Sequence, residues 1–228
     1  MPTALVDERC TLGAVRDIDL KDHLARYRFA LPCCTGQTVL DIACGTGYGT
    51  DMLRTVAASV TGVDVDPDAV EHARAAYGGR FLVSSMVDFS DGVQYDRIVS
   101  FETIEHVADY HTALTNLRRL LKPGGQLILS TPNRIVNSPH LRSMHEKPRN
   151  LYHVREFSVE ELQTVVRAAG FAVDATYGQK QRRPTRQPAL RLLYGAANRL
   201  GLFPTHFSDR VLPLRPGLEP RYTVLVCV

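Results

Sequence analysis

The 228-residue chain has no tryptophan, no long apolar run and no disulfide-style cysteine pattern. RNA recognition favours a broad basic surface and aromatic stacking platforms, whereas this chain has no tryptophan and gathers its basic excess in one proline-rich stretch. No recognisable RNA-binding module is present, so a nucleic acid partner is not expected. No stretch approaches the ~20 consecutive apolar residues of a membrane-spanning helix. The opening segment, MPTALVDERC, has neither the basic start nor the apolar stretch of a signal peptide. Five cysteines are an odd number, and two of them, Cys33 and Cys34, are adjacent. Reduced thiols and a cytoplasmic location are the expectation. What remains is an ordinary globular composition, 44% hydrophobic and 22% charged. A chain of this length buries a full core without staples, and one domain over 1–228 is expected.

The net charge of +3 is unevenly spread. Residues 180–221 hold one lysine and eight arginines against Asp209 and Glu219, so the rest of the chain is net negative. Two readings stand. The stretch is a solvated or self-associating surface, consistent with a homodimer, or it covers an anionic or hydroxyl-rich substrate.

Short β-rich runs alternate with helical runs from residue 39 to about 131. VLDIA (39–43), VTGVD (60–64), FLV (81–83), YDRIVSF (95–101) and QLILST (126–131) read as five strands. Helices are expected over 48–55, after an Asp66 cap with Pro67 at the first position, and over 104–121. Lys122–Gly125 reads as a turn. Ser158 and Glu161 form a capping box for a helix that buries Leu162, Val165, Val166 and Ala169. FAVDATYG and YTVLVCV supply two further strands. Repeated β-α-β units predict a doubly wound, Rossmann-like α/β sheet of seven strands, mostly parallel, with an antiparallel last strand. Residues 1–36 are expected to cap it. The irregular segments 132–156 and 181–220 are expected on the acceptor side, with one helix within 189–200.

The most informative segment is V-L-D-I-A-C-G-T-G-Y-G, 39–49. A strand runs into a glycine turn that opens a helix, so Gly45 and Gly47 let the backbone approach a ligand closely. Ligands of open parallel sheets bind beyond the carboxyl ends of the strands. Asp64, ending the next strand, can accept hydrogen bonds from both ribose hydroxyls. A dinucleotide usually needs G-x-G-x-x-G; this turn is G-x-G-x-G, with Asp41 inside the strand. A carboxylate there suits a cationic amine better than a pyrophosphate.

D-I-A-C-G-T-G-Y-G resembles the first motif of the class I S-adenosylmethionine methyltransferases. G-V-D-V-D (62–66) resembles their acidic motif, and L-K-P-G-G-Q-L-I-L-S-T-P-N their fifth-strand segment. The likeness covers 37–178 and the last strand. It implies S-adenosylmethionine as cofactor, with Asp41, Ala43, Cys44, Gly45 and Gly47 around the methionine moiety and Asp64 and Val65 at the ribose. It further implies Ser85 and Met86 near the adenine, and Phe101 beside the donor. Arg26, Tyr27 and Arg28 become candidates for the cofactor carboxylate.

Methyl transfer from a sulfonium is in-line substitution, and positioning alone supplies ~7–11 kcal/mol. A hydroxyl acceptor, its proton held about as tightly as water's (pKa about 15.7), needs a base, a metal or both. F-E-T-I-E-H-V (101–107) offers both. On a helix starting at residue 102, Glu102, Glu105 and His106 share one face, ~5–6 Å apart at Cβ. The alternative is that the carboxylates merely favour a helix N-terminus. The later N-L-Y-H-V-R-E-F completes a pattern that resembles the metal-dependent O-methyltransferases, among them small-RNA 3′-terminal and quinone-pathway enzymes. The likeness implies Glu102, Glu105, His106 and His153 as ligands of a divalent cation, Mg²⁺ or Mn²⁺ in the first instance. His145, ahead of His140, is the expected general base, with Glu105 and His106 also at the reacting centre. A small molecule or saccharide bearing a diol is the leading acceptor. Metal-free N- or C-methylation, a 3′-terminal RNA 2′-O-methyltransferase and a non-catalytic cofactor-binding module are the alternatives.

Overall fold

The computed structural model describes residues 17–183 and 210–228, with side chains from residue 20 onward. The expected helix within 189–200 lies outside the described residues. In chain order the elements are α1 (Asp17–Cys34), β1 (Thr38–Ile42), α2 (Tyr48–Arg54), β2 (Ser59–Asp64), α3 (Pro67–Tyr77), β3 (Arg80–Val83) and β4 (Tyr95–Phe101). A 3-10 turn (Ile104–His106) follows, then α4 (Tyr110–Leu120), β5 (Leu121–Pro132), α5 (Arg134–Asn137), α6 (Val159–Ala168), β6 (Val173–Gln179), β7 (Leu212–Pro213) and β8 (Tyr222–Cys227).

The strands form one sheet in the order β3-β2-β1-β4-β5-β8-β6-β7. β1 to β5 pair in parallel, and β8 is antiparallel to both β5 and β6. The sheet therefore has eight strands rather than the expected seven. The addition is β7, whose Leu212 and Pro213 pair with Gly178 and Tyr177. The side chain of Gln181 fastens it, donating to the carbonyls of Leu212 and Pro213. The described ends of the 181–220 stretch thus extend the sheet edge, and Arg182 bridges to Glu219.

Period-two alternation along the central strands builds two cores. Leu40, Ile98 and Leu127 face one way and pack with Ala113, Leu114 and Leu117 of α4 and Leu162 and Val166 of α6. Their chain neighbours Val39, Val99 and Ile128 face the other way, against Tyr27 and Ala30 of α1 and Leu53 of α2. Helix ends follow the local chemistry. The Asp66 carboxylate accepts from the Asp68 N–H, and Ser158 with Glu161 completes a capping box.

Two expectations need correction. The helix foreseen over 104–121 is a 3-10 turn followed by α4. Asp109 restarts the chain as an N-cap, accepting from the Thr112 N–H at 3.1 Å. The turn foreseen at Lys122–Gly125 is looped out inside β5, between the Tyr95–Leu121 and Arg97–Gln126 pairs. Among the described residues no helix is long and apolar enough to cross a membrane.

α1 was foreseen only as a cap. It seats Tyr27 directly on the backbone of α2: a Cβ built at Gly49 would lie 1.9 Å from the Tyr27 ring. Gly49→Ala is therefore expected to push α1 off the sheet and cost ~1–3 kcal/mol, as overpacking does. A urea denaturation midpoint equal to that of the wild type would show that α1 does not depend on this contact.

Candidate functional site

Strand order reverses between β1 and β4, and a cleft of about 750 Å³ opens there at the carboxyl ends of the parallel strands. Gly45 (φ +55°) and Gly47 (φ +88°) turn the chain from β1 into α2. A Cβ at Gly47 would lie 2.6 Å from Ala73, whereas one at Gly45 would meet open space. Gly47 is thus glycine for close packing behind the turn, and Gly45 leaves the cleft side clear. The Gly45 N–H donates to Asp64 Oδ2 (2.8 Å) and the Asp66 N–H to Oδ1 (3.0 Å), which fixes the carboxylate at the cleft edge. Ala43, Cys44, Gly45, Asp64, Val65 and Phe101 all line the cleft. Burial holds the Cys44 thiol protonated, with the charges of Asp41 and Asp64 adding to the effect.

Four expected contacts are not brought to the cleft surface, and Gly47, packed behind the turn, is one of them. Met86 is buried in the core, its carbonyl accepting from the Asn116 amide. Ser85 turns away to donate to Asp88 Oδ2 at 2.6 Å. Asp41 is 1% exposed, sealed behind Tyr27. It accepts from Thr50 Oγ1 at 2.6 Å and from the Tyr27 hydroxyl at 3.1 Å. Burial pushes the Asp41 carboxyl up to about 7; those hydrogen bonds oppose the shift and the Asp64 charge adds to it.

α1 adds His23 to the candidates Arg26 and Tyr27 that the sequence offered. His23, Arg26 and Tyr27 all line the cleft, whereas Arg28 is exposed. His23 Nδ1 lies 2.9 Å from the Tyr48 hydroxyl, and burial next to Arg26 holds the ring neutral. Helix α1 contains Pro32 and alternates charged with apolar residues irregularly, so no period announced it.

The opposite wall is built around Glu105. Its side chain is fully buried, with Oε2 accepting from Thr131 Oγ1 (2.8 Å) and Oε1 lacking a hydrogen-bond partner among the described residues. Burial and the nearby Glu102 charge push its carboxyl well above the usual range. The Glu105 carbonyl accepts from the N–H groups of Val154 and Arg155, which draws the 149–156 segment across. One ligand atom each of Glu105, His106 and His153 then lies within 4.8 Å of the other two. His106 Nδ1 is 3.0 Å from the Tyr152 carbonyl, so in the neutral ring Nδ1 carries the proton and Nε2 the lone pair.

The helix-face argument for Glu102 does not hold. Glu102 adopts φ +52°, outside any helix. Its Oε1 accepts from Ser130 Oγ (2.7 Å) and lies 3.9 Å from Arg26 Nε. It lines the cleft but stands outside the three-residue cluster. His145 and His140 are exposed and do not line the cleft, so their positions do not support the general-base role. Sequence reasoning missed Glu156. Only 2% exposed, it sits 2.8 Å from His153 Nδ1. Its signal was the i, i+3 spacing in H-V-R-E.

A methyltransferase-domain family profile matches residues 17–176. The chain belongs to the class I S-adenosylmethionine-dependent methyltransferases. It is 35% identical over 187 residues to a probable S-adenosylmethionine-dependent methyltransferase of Mycolicibacterium smegmatis, covering 78% of this chain and 70% of that one. An O-methyltransferase of Penicillium expansum is 30% identical over 163 residues, covering 66% of this chain. The matched part is 58% of that protein, so the chain spans less than two thirds of it. A crystal structure of a methyltransferase from Thermotoga maritima superposes with a TM-score of 0.63 at 21% identity, covering 91% of each chain, and shares the fold. The methyl donor of this methyltransferase is S-adenosylmethionine.

The Asp41 shift makes stability depend on pH. Below pH 3.8 the carboxyl is protonated folded and unfolded alike. Between 3.8 and about 7 the folded protein keeps a proton that the unfolded chain has lost, so stability falls as pH rises through that window. Asp41→Asn should therefore gain thermal stability over the cofactor-free wild type between pH 4 and pH 8. Parallel melting-temperature curves for the two proteins would contradict the buried, protonated Asp41.

Proposed function

We propose that this methyltransferase O-methylates a small diol-bearing acceptor, a sugar or glycan end in the leading case. Glu105, His106 and His153 would hold a divalent cation, Mg²⁺ or Mn²⁺, at the acceptor. The observation that carries the reading is the convergence of these three donors around a buried Glu105 oxygen that has no partner. A buried carboxylate oxygen without a partner is costly unless a cation or a proton meets it. Similarity to an O-methyltransferase adds support for oxygen as the acceptor atom.

Each side chain has a task. The glycine turn leaves room for the donor, Asp64 accepts from the ribose hydroxyls, and Asp41 acts on the methionine ammonium from behind Tyr27, which lines the cleft. Glu156 accepts the Nδ1 proton of His153, which leaves the lone pair on Nε2, where it accepts from the Asn150 amide at 3.0 Å; a ligand at Nε2 would displace that amide. A bound divalent ion supplies the charge that lowers the acceptor hydroxyl's pKa and fixes it in line with the methyl group.

The 2.8 Å His153–Glu156 pair favours one other reading, metal-free catalysis in which His153 Nε2, once released from the Asn150 amide 3.0 Å away, takes the acceptor's proton and Glu156 steadies the imidazolium. Chelation separates the two. Excess EDTA should abolish turnover, and Mg²⁺ or Mn²⁺ should restore it. Glu105→Gln should cost roughly a hundredfold or more in kcat, the scale of losing charge stabilisation at a reacting centre. Its affinity for S-adenosylmethionine should stay within about twofold, because no donor contact is lost. Full activity in excess chelator, across a panel of sugars, polyphenols and amines, would leave the metal-free dyad as the mechanism.

A further inference from the structure

The cleft contains positive charge that neither methyl donation nor the Glu-His cluster uses. Three guanidinium groups line it, those of Arg26, Arg149 and Arg221. Arg26 is occupied: it donates to Gln179 Oε1 at 2.6 Å and faces Glu102. Arg149 and Arg221 make no side-chain hydrogen bond or salt bridge among the described residues. Arg221 is half-buried, with its Nε shielded from solvent and unpartnered. Its other neighbour is the Tyr222 ring, 5.4 Å away.

Topology puts this charge at the acceptor end. β8 runs antiparallel to β5, so Arg221, just ahead of β8, emerges at the carboxyl edge beside Pro132. The Arg221 carbonyl is held there by the Asn133 N–H and the Asn137 amide. From β1 the order is β4, β5, β8; at ~4.8 Å per strand, β8 lies about 14 Å from the strand that carries the glycine turn. Arg149 belongs to the segment that delivers His153. Both guanidinium groups therefore flank the Glu-His cluster rather than the ribose site at Asp64.

We propose that Arg149 and Arg221 form an anion subsite, so that the methyl acceptor is an acidic molecule carrying a carboxylate or phosphate beyond its reacting group. This rests on reading that end of the cleft as the acceptor pocket. A half-buried guanidinium without a counter-charge is costly to keep, and it gives a planar fork suited to either oxyanion. The arrangement sets specificity: the anion anchors one end of the acceptor, and the reacting group falls at Glu105, His106 and His153.

Binding tests this without any methyl transfer. The protein loaded with S-adenosylhomocysteine is titrated with benzoate and, separately, with inorganic phosphate, followed by thermal shift and calorimetry. The two arms tell a carboxylate subsite from a phosphate one. At least one anion should bind in the millimolar range. Arg149→Met with Arg221→Met should weaken it roughly tenfold or more, the scale of one charge-assisted hydrogen bond. Arg149→Met alone, an exposed position, provides the same test should the double variant fold poorly. S-adenosylhomocysteine affinity should be unchanged. Absence of anion binding, or equal binding by the variants, overturns the proposal. So does a fall in S-adenosylhomocysteine affinity, which would assign the guanidinium groups to the donor's carboxylate. Anion binding that persists in a chelator-insensitive enzyme would sink the metal and leave this subsite standing.

Discussion

Two carboxylates taken out of water organise this protein. Asp41 sits within β1 and Glu105 lies just beyond β4, the two strands between which the sheet reverses its order, and each is at most 1% exposed. Ionised and unpaired, either would be costly. Each is instead held above the normal carboxylate range; Asp41 accepts on both oxygens, from Thr50 and Tyr27, and Glu105 on one, from Thr131. Such groups are poised for a positive ligand, which repays the desolvation already incurred in folding. On the proposed reading, the ammonium of S-adenosylmethionine answers Asp41 and a divalent cation answers Glu105.

The rest of the fold keeps those groups in place and dry. Alternating apolar residues bury α4 and α6 against one face and α1 and α2 against the other. The strand ends are then free to spend unusual backbone geometry on the site. Ala43 and Glu102 are two of the three non-glycine residues with positive φ among those described, and they end β1 and β4. Such conformations persist where surrounding structure over-determines them, and they cluster at functional sites. Here they turn the chain sharply out of the sheet and aim the following residues into the cleft.

Much of this was legible in the sequence because it is local. The glycine turn, Asp64 at the end of its strand, the Asp66 cap and the Ser158–Glu161 box each depend on residues a few positions apart. The cluster was half legible. Its members are legible, Glu105 and His106 from the spacing of a helix that does not form and His153 from the resemblance alone. A long-range contact assembles them: the Glu105 carbonyl reaches the N–H groups of Val154 and Arg155. That bond has no signature in spacing. Glu102 left the group because its left-handed backbone sends its carboxylate to Ser130, and no pattern of residue types encodes a φ angle. Tyr27 and Arg221 acquire their places from packing of α1 and from the antiparallel return of β8. Ser85 and Met86 were carried over by resemblance, and the local turn at 85–89 takes them away from the cleft.

The account stands on Glu105 meeting a cation. Crystals grown with S-adenosylhomocysteine and soaked in Mn²⁺ test it directly, by anomalous diffraction at the manganese edge. A single strong peak within about 2.0–2.4 Å of Glu105 Oε1 and the ring nitrogens of His106 and His153 is the expected result. A map with no peak at that cluster, in a protein that still turns over its acceptor, would contradict the metal and leave a protonated Glu105 beside the His153–Glu156 dyad.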